Sequence, residues 1–285
     1  MLQMPTEIPQ EFTHELRHLA LNALELTDPT QKVAQTQVLY EKQQAGHIAL
    51  DIHHQFAAHA GAQIPGRPEK PELVPPLQVK RRTMRTPEGR AILLHALCHI
   101  EFNAINLALD AIWRFPGMPA DYYVDWLKVA AEEALHFSLL AEHLTTLGYA
   151  YGDFPGHDTL WEMVAKTQED VLARMALVPR TMEARGLDAA PSTRNKLAQV
   201  GDDAGAAIID IILRDEIGHV AIGNRWFAYL CLQRDLEPIA CYASLAERYA
   251  APKLRAPFNL DARRAAGFTE AELQALQDST ERTQP

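Results

Sequence analysis

The sequence predicts an all-α protein: a four-helix bundle core with two helices ahead of it and a short one behind. Three observations carry that expectation. Alternating β-branched runs joined by Asn-Gly or Asp-Gly turns, the mark of hairpins, are almost absent. Apolar residues instead recur at helical spacing over long stretches. Thr, Asp, Pro and Gly stand where helices would start and stop.

The segment "PQEFTHELRHLALNALEL" reads as a first helix ending near Thr27-Asp28-Pro29, and "DPTQKVAQTQVLYEKQQAG" as a second stopped by Gly46. Residues 10–60 thus form an N-terminal helical hairpin. Residues 61–86 are rich in proline, which removes backbone donors and fixes φ, so they form a connection rather than an element. Four core helices follow within 87–232. The first starts at Pro87 behind the N-cap Thr86 and runs to about Arg114. The second covers about 120–147 and closes at Gly148. The third spans roughly 157–186, with a kink at Pro179 and Gly186 just past its end. The fourth covers about 194–232. In the extension 233–285, "TEAE" from Thr269 to Glu272 is a capping box that opens a short helix, and "DSTERTQP" reads as a disordered tail. The whole chain, 1–285, is expected to be one domain.

Composition narrows the functional classes. The chain has 285 residues, enough to bury a sizeable core, and a formal charge of −10 at pH 7. That charge disfavours bulk attraction to nucleic acid or anionic membranes. Cys98, Cys231 and Cys241 are odd in number and form no CxxC pair, which fits reduced thiols. The N-terminus lacks a basic and apolar leader, and no run reaches the roughly 18 uninterrupted apolar residues of a membrane helix. A cytoplasmic location is expected.

Chemistry enters where carboxylates interrupt apolar helix faces. Glu101 sits in the stripe Leu94, Leu97, Ala104, Ile105 and Ala108. Glu133 and His136 lie three apart in "EEALHF", and Glu216 and His219 repeat that spacing in "RDEIGHV". Glu183, in "RTMEARG", lines up with Leu172 and Ala176. Glu132 competes with Glu133, but only Glu133 is three before His136. Glu162 and Glu169 compete with Glu183 on the same predicted helix. Glu101 precedes Glu133 by 32 residues and Glu183 precedes Glu216 by 33, so each half of the core supplies one Glu and then a Glu-x-x-His. Residues i and i+3 project from one side of a helix. In a four-helix bundle, four Glu and two His so spaced converge on the axis as a cage for two divalent metals. The hard, mixed oxygen and nitrogen donors suit two iron ions, with manganese or a mixed pair as alternatives.

The pattern Glu101, Glu133-x-x-His136, Glu183, Glu216-x-x-His219 resembles that of the ferritin-like di-iron carboxylate superfamily. The stretches "HALCHIEFNAINLALDAIWRF", "ALVPRTMEARGLD" and "IILRDEIGHVAIGNRWF" look like an uncharacterised bacterial family within it. The resemblance covers roughly residues 10–235 and implies a ferritin-like fold and these six residues as metal ligands. "MEARG" is also similar, more distantly, to a helix of the tRNA-modifying hydroxylase branch, which keeps tRNA open as a partner. Asn106 stands where relatives would carry an acidic residue, and its place five residues from Glu101 limits it to the surroundings of the site.

Other residues are candidates for supporting roles. His95 and His99 fall on a different helix face from Glu101, about 120° and 160° away at about 100° per residue, so a partly exposed or supporting role is expected. Asp210 and Asp215 are candidates for orienting the ligand histidines. The basic stretch Lys80, Arg81, Arg82, Arg85 and Arg90, together with Arg174 and Arg180, could anchor a substrate phosphate or carboxylate. The activity expected is O₂-dependent hydroxylation or desaturation of a small molecule, with iron oxidation and handling as the alternative. Electrons would come from an external donor, since the chain has no Gly-rich dinucleotide fingerprint or cysteine cluster. Assembly into a homo-oligomer is compatible with all of this.

Overall fold

A computed structural model describes residues 14–79 and 83–281. Lys80, Arg81 and Arg82 lie outside the described residues, as do the start of the first predicted helix and the last four residues of the tail. Among the described residues every extended regular element is a helix, and β structure is confined to two isolated bridges.

The helices are α1 (Leu16–Glu25), α2 (Pro29–Gln44), α3 (Pro87–Arg114), α4 (Ala120–Thr146), α5 (Thr159–Lys166), α6 (Val171–Leu177), α7 (Ala184–Gln199), α8 (Asp203–Gln233), α9 (Pro238–Arg248), α10 (Leu260–Ala265) and α11 (Glu270–Glu281). A π-helical segment, Val178–Glu183, joins α6 to α7. The chain divides into two compact units, one of residues 1–69 with 104–135, the other of 70–103 with 136–285. α3 and α4 contribute to both.

In the first unit two buried cations tie loops to helices. Arg17 is fully buried and donates to the carbonyls of Ile112 and Trp113, near the C-terminus of α3, where helix carbonyls lack intrahelical donors. Its other nitrogen donates to the Asp51 and His54 carbonyls. Lys32 on α2 reaches the Leu24 and Gly66 carbonyls at 3.0 and 2.8 Å and the side-chain oxygen of Asn106. Burial, with Arg67 adding like charge, lowers its pKa to about 7. Asn106 thus serves as the acceptor for a buried lysine. Gly66 is needed where it stands, because a Cβ would lie 2.1 Å from the Glu25 carbonyl oxygen.

In the second unit the predicted third helix is corrected in two ways. It breaks at 167–170, where the Thr167 hydroxyl donates back to Met163 and Asp170 caps α6. It also runs on past Gly186 to Gln199. Gly186 does not adopt a left-handed φ, so nothing there ends the helix. Pro179 does distort it, and the distortion is the π segment. Pro191 sits inside α7 and cannot donate to Leu187, whose carbonyl is satisfied from outside the helix by Asn259 at 3.2 Å. The fourth predicted helix starts late. Gly201, with φ of 78°, makes a turn, and Asp202 caps α8 by accepting from Gly205. Among the described residues the extension holds three helices where one was expected. The capping box at α11 forms as read, with Thr269 and Glu272 exchanging bonds, and α11 extends into the tail as far as Glu281.

The π segment and α7 pack on α8. Ala184, Leu187, Val220, Ala262 and Ala266 form the small core that joins α7, α8 and α10. Close approach depends on Gly223, where a Cβ would lie 2.5 Å from the Pro179 Cβ. Gly223→Ala should therefore cost about 1–3 kcal/mol by overpacking. Gly218→Ala, on the same helix with open space at its Cβ, should be neutral or stabilising by up to about 1 kcal/mol. Thermal unfolding of the two variants checks the contrast, and equal effects would contradict it.

Candidate metal centre

Three helices bring the chemistry together. α3 places Glu101, α4 places Glu133 and His136 one turn apart, and α8 places Glu216 and His219 in the same way. Each of Glu101, Glu133, His136 and Glu216 offers a ligand atom, and these four atoms all lie within 4.8 Å of one another. All four side chains are buried. At this spacing, with an effective dielectric near 20, each pair of ionised carboxylates repels by about 3–4 kcal/mol. A cation held among them removes that penalty, so the donor set fits a divalent metal ion.

The two nitrogens of His136 face different partners. Nδ1 lies 3.4 Å from Glu101 Oε2, while Nε2 lies 3.1 Å from Asp215 Oδ2. Asp215 is itself held by Arg214 at 2.8 and 2.9 Å. Burial would raise the Asp215 pKa, but the bonds from Arg214 and His136 outweigh it and keep the carboxylate below its usual range. As a carboxylate, Asp215 requires a proton on Nε2 and so leaves the Nδ1 lone pair directed at the cluster, the usual arrangement behind a ligand histidine. Asp210, the other candidate for this role, pairs with Arg194 on the surface instead.

Of the six residues singled out from the sequence, the structure thus gathers four within 4.8 Å, and Glu183 and His219 stand outside that set. His219 is fully buried, with Nδ1 3.7 Å from Glu216 Oε1 and its ring 5.8 Å from that of His136. Glu183 is buried at the last position of the π segment. Its competitors Glu162 and Glu169 are exposed, and Glu132 is drawn away from Glu133 by Lys128 at 2.6 Å. Cys98, one turn before Glu101, is fully buried. Burial and the nearby Glu101 push its thiol well above the ordinary range, so it stays protonated.

The arginines proposed as substrate anchors have other partners. Arg174 donates to the Val164 carbonyl and the Thr167 hydroxyl, where it holds the C-terminus of α5. Arg180 donates to Glu272, which already fills the place expected for a substrate anion. Arg90 lies 3.5 Å from the Met84 carbonyl.

His95 and His99, for which a partly exposed or supporting role was expected, are both buried and anchor the loop after α4. His95 Nε2 accepts from the Gly152 N–H at 2.9 Å. His99 meets the Tyr151 hydroxyl at 2.9 Å and the His157 carbonyl at 3.2 Å. The loop closes on the proline-rich connection through Gly156, which exchanges backbone bonds with Glu72 and Val74. Sequence reading missed this clamp. Its available signal was the "YGDFPGH" stretch, whose Gly156 lies so close to His99 that a Cβ there would come within 2.8 Å of the ring.

The family described as "Protein of unknown function (DUF455)" matches residues 12–274 of this chain. The chain belongs to DUF455. A protein of Haemophilus influenzae, described as "Uncharacterized protein", is 53% identical over 213 residues, covering 72% of this chain and 74% of the relative. No solved structure matches. The DUF455 match spans α3, α4, the π segment and α8, and so includes every residue of the buried cluster. Among the described residues one helix, α3, is long and apolar enough to cross a membrane by length and composition, but 83% of its most apolar window is buried inside the protein.

His95 yields a pH prediction. Burial, with His99 adding to it, lowers its pKa from 6.5 to about 4. The unfolded chain therefore binds a proton between pH 6.5 and 4 that the folded chain refuses, so stability falls as pH falls through that window. The loss should be on the order of 3 kcal/mol. Urea unfolding at the two ends of the window should show this component in the wild type and not in His95→Gln. Parallel losses in both proteins would contradict the assignment.

Proposed function

We propose that this chain is a ferritin-like di-metal carboxylate oxidoreductase, holding two iron ions and using O₂ to hydroxylate or desaturate an organic molecule. The observation that carries the reading is the buried convergence of Glu101, Glu133, His136 and Glu216 from three helices. Glu183 and His219 complete a set of four carboxylates and two imidazoles, whose charge of −4 matches two divalent ions. The donors are hard oxygens and imidazole nitrogens, which favour iron or manganese over thiolate-seeking metals. Such a pair, when bound, supplies electrons and open coordination sites for O₂ chemistry.

The chain's own residues do the rest. Asp215 fixes the His136 ring. The apolar packing of α3, α4 and α8 keeps bulk water from the carboxylates. The π segment carries Glu183 on a stretch of helix that departs from regular hydrogen bonding, a feature often found at functional sites. Electrons come from a separate donor protein.

Metal analysis of untagged protein tests the reading. Wild type should carry about two iron ions, or manganese with iron, per chain, the complement of a four-Glu, two-His set. Glu133→Ala and Glu216→Ala should each lose them while still folding. Metal-free preparations throughout, with both variants folded, would overturn it. Asp215→Asn should keep the fold and weaken metal affinity about 10–100-fold, measured by competition with a chelator.

A further inference from the structure

A second chemically distinctive place lies in the second unit, away from the residues discussed as ligands. α9, α11 and the π segment enclose a cleft of about 670 Å³, within the range of small-molecule sites. Its walls are mostly apolar, with Ile239, Tyr242, Leu254, Phe268 and Leu276 among them, and alanines such as Ala246 leave the space open. Arg180 lines it as well. Its side chain is only 5% exposed, with the guanidinium 4.2 Å from the Phe227 ring centre, 5.1 Å from that of Phe268 and 5.6 Å from that of Tyr242.

The charges of this cleft are already balanced. Arg180 donates from Nη2 to Glu272 Oε1 at 2.6 Å, and Arg263 is paired with Asp188 at 2.7 Å. Glu247 and Lys253, also in the lining, are exposed and of opposite sign. Burial would raise the Glu272 pKa, but Arg180 and the bonds from Thr269 hold it below its usual range, so the pair stays ionic. An incoming anion would set a second carboxylate or phosphate against Glu272 for one guanidinium. The donor capacity of Arg180 is not spent, however. The guanidinium has five N–H donors, and its buried Nε has no acceptor. A buried donor left unsatisfied costs about 1–3 kcal/mol, so a neutral acceptor brought in by a ligand has something to gain.

We propose that this cleft binds a neutral, elongated apolar molecule carrying one hydrogen-bond acceptor, a carbonyl or hydroxyl oxygen, which Arg180 receives. Two neighbours of the cleft lead along the chain toward residues read as ligands. Arg180 is three residues before Glu183 on the π segment, and Phe227 lies two turns beyond His219 on α8. Naming this molecule as the substrate rests on the oxidoreductase reading; its binding does not.

The test is calorimetric titration of the full chain, metal-loaded and chelator-treated, with 2-decanone and with decanoate. Saturable 1:1 binding of 2-decanone in both forms is expected, with decanoate at least about tenfold weaker. Ala246→Phe fills the cleft from its wall and should weaken 2-decanone binding at least about tenfold while leaving thermal unfolding and metal content unchanged. Arg180→Met should weaken 2-decanone binding at least about tenfold. No binding of 2-decanone, or full binding in Ala246→Phe, would overturn the site. Tighter binding of decanoate would overturn the ligand class. Because metal content is measured on the same samples, ketone binding by a protein that never carries metal would fail the oxidoreductase reading alone.

Discussion

Repulsion among three buried carboxylates sets the terms for this protein. Glu101, Glu133 and Glu216 present oxygens within a few ångströms of one another inside an apolar core. Carboxylates left to themselves there would be protonated or driven apart. Holding them together requires three long helices whose backbones are fixed by packing elsewhere. Thr86 caps the start of α3 and Asp202 that of α8. The same requirement explains why His136 is held from behind by a carboxylate anchored to an arginine. A ring free to turn would give the cluster a misdirected nitrogen.

Much of this was legible in the sequence because helix periodicity and carboxylate spacing are local. α3 begins and ends where Pro87 and Arg114 indicated, and α4 differs from expectation by one residue. Glu133 could be separated from Glu132, and Glu183 from Glu162 and Glu169, by spacing alone. Glu133 is gathered into the buried cluster, whereas Glu183 is buried, unlike Glu162 and Glu169, but stands outside that set.

What could not be read depends on partners distant in the chain. Gly186 looks like a stop signal, but a glycine ends a helix only if its φ turns positive. Pro191 looks like a breaker, but the carbonyl it orphans finds Asn259 more than 70 residues on. Arg174 and Arg180 looked like free cations because Val164, Thr167 and Glu272 cannot be assigned to them by pattern. The burial of His95 and His99 likewise depends on a loop some 50 residues downstream that folds back over them.

The acceptance of Pro191 has a dynamic consequence. α10 has only six residues, yet from its N-cap and body it reaches α7 five times, through Asn259 to Leu187 and Asp188 and through Arg263 to Ala184 once and to Asp188 twice. α7 carries a helix-breaking residue that it tolerates only while α10 is docked. The two therefore form one cooperative opening unit, and their amides would exchange with solvent together. The short helix near the end of the chain acts as the latch for a longer one that begins beside Glu183.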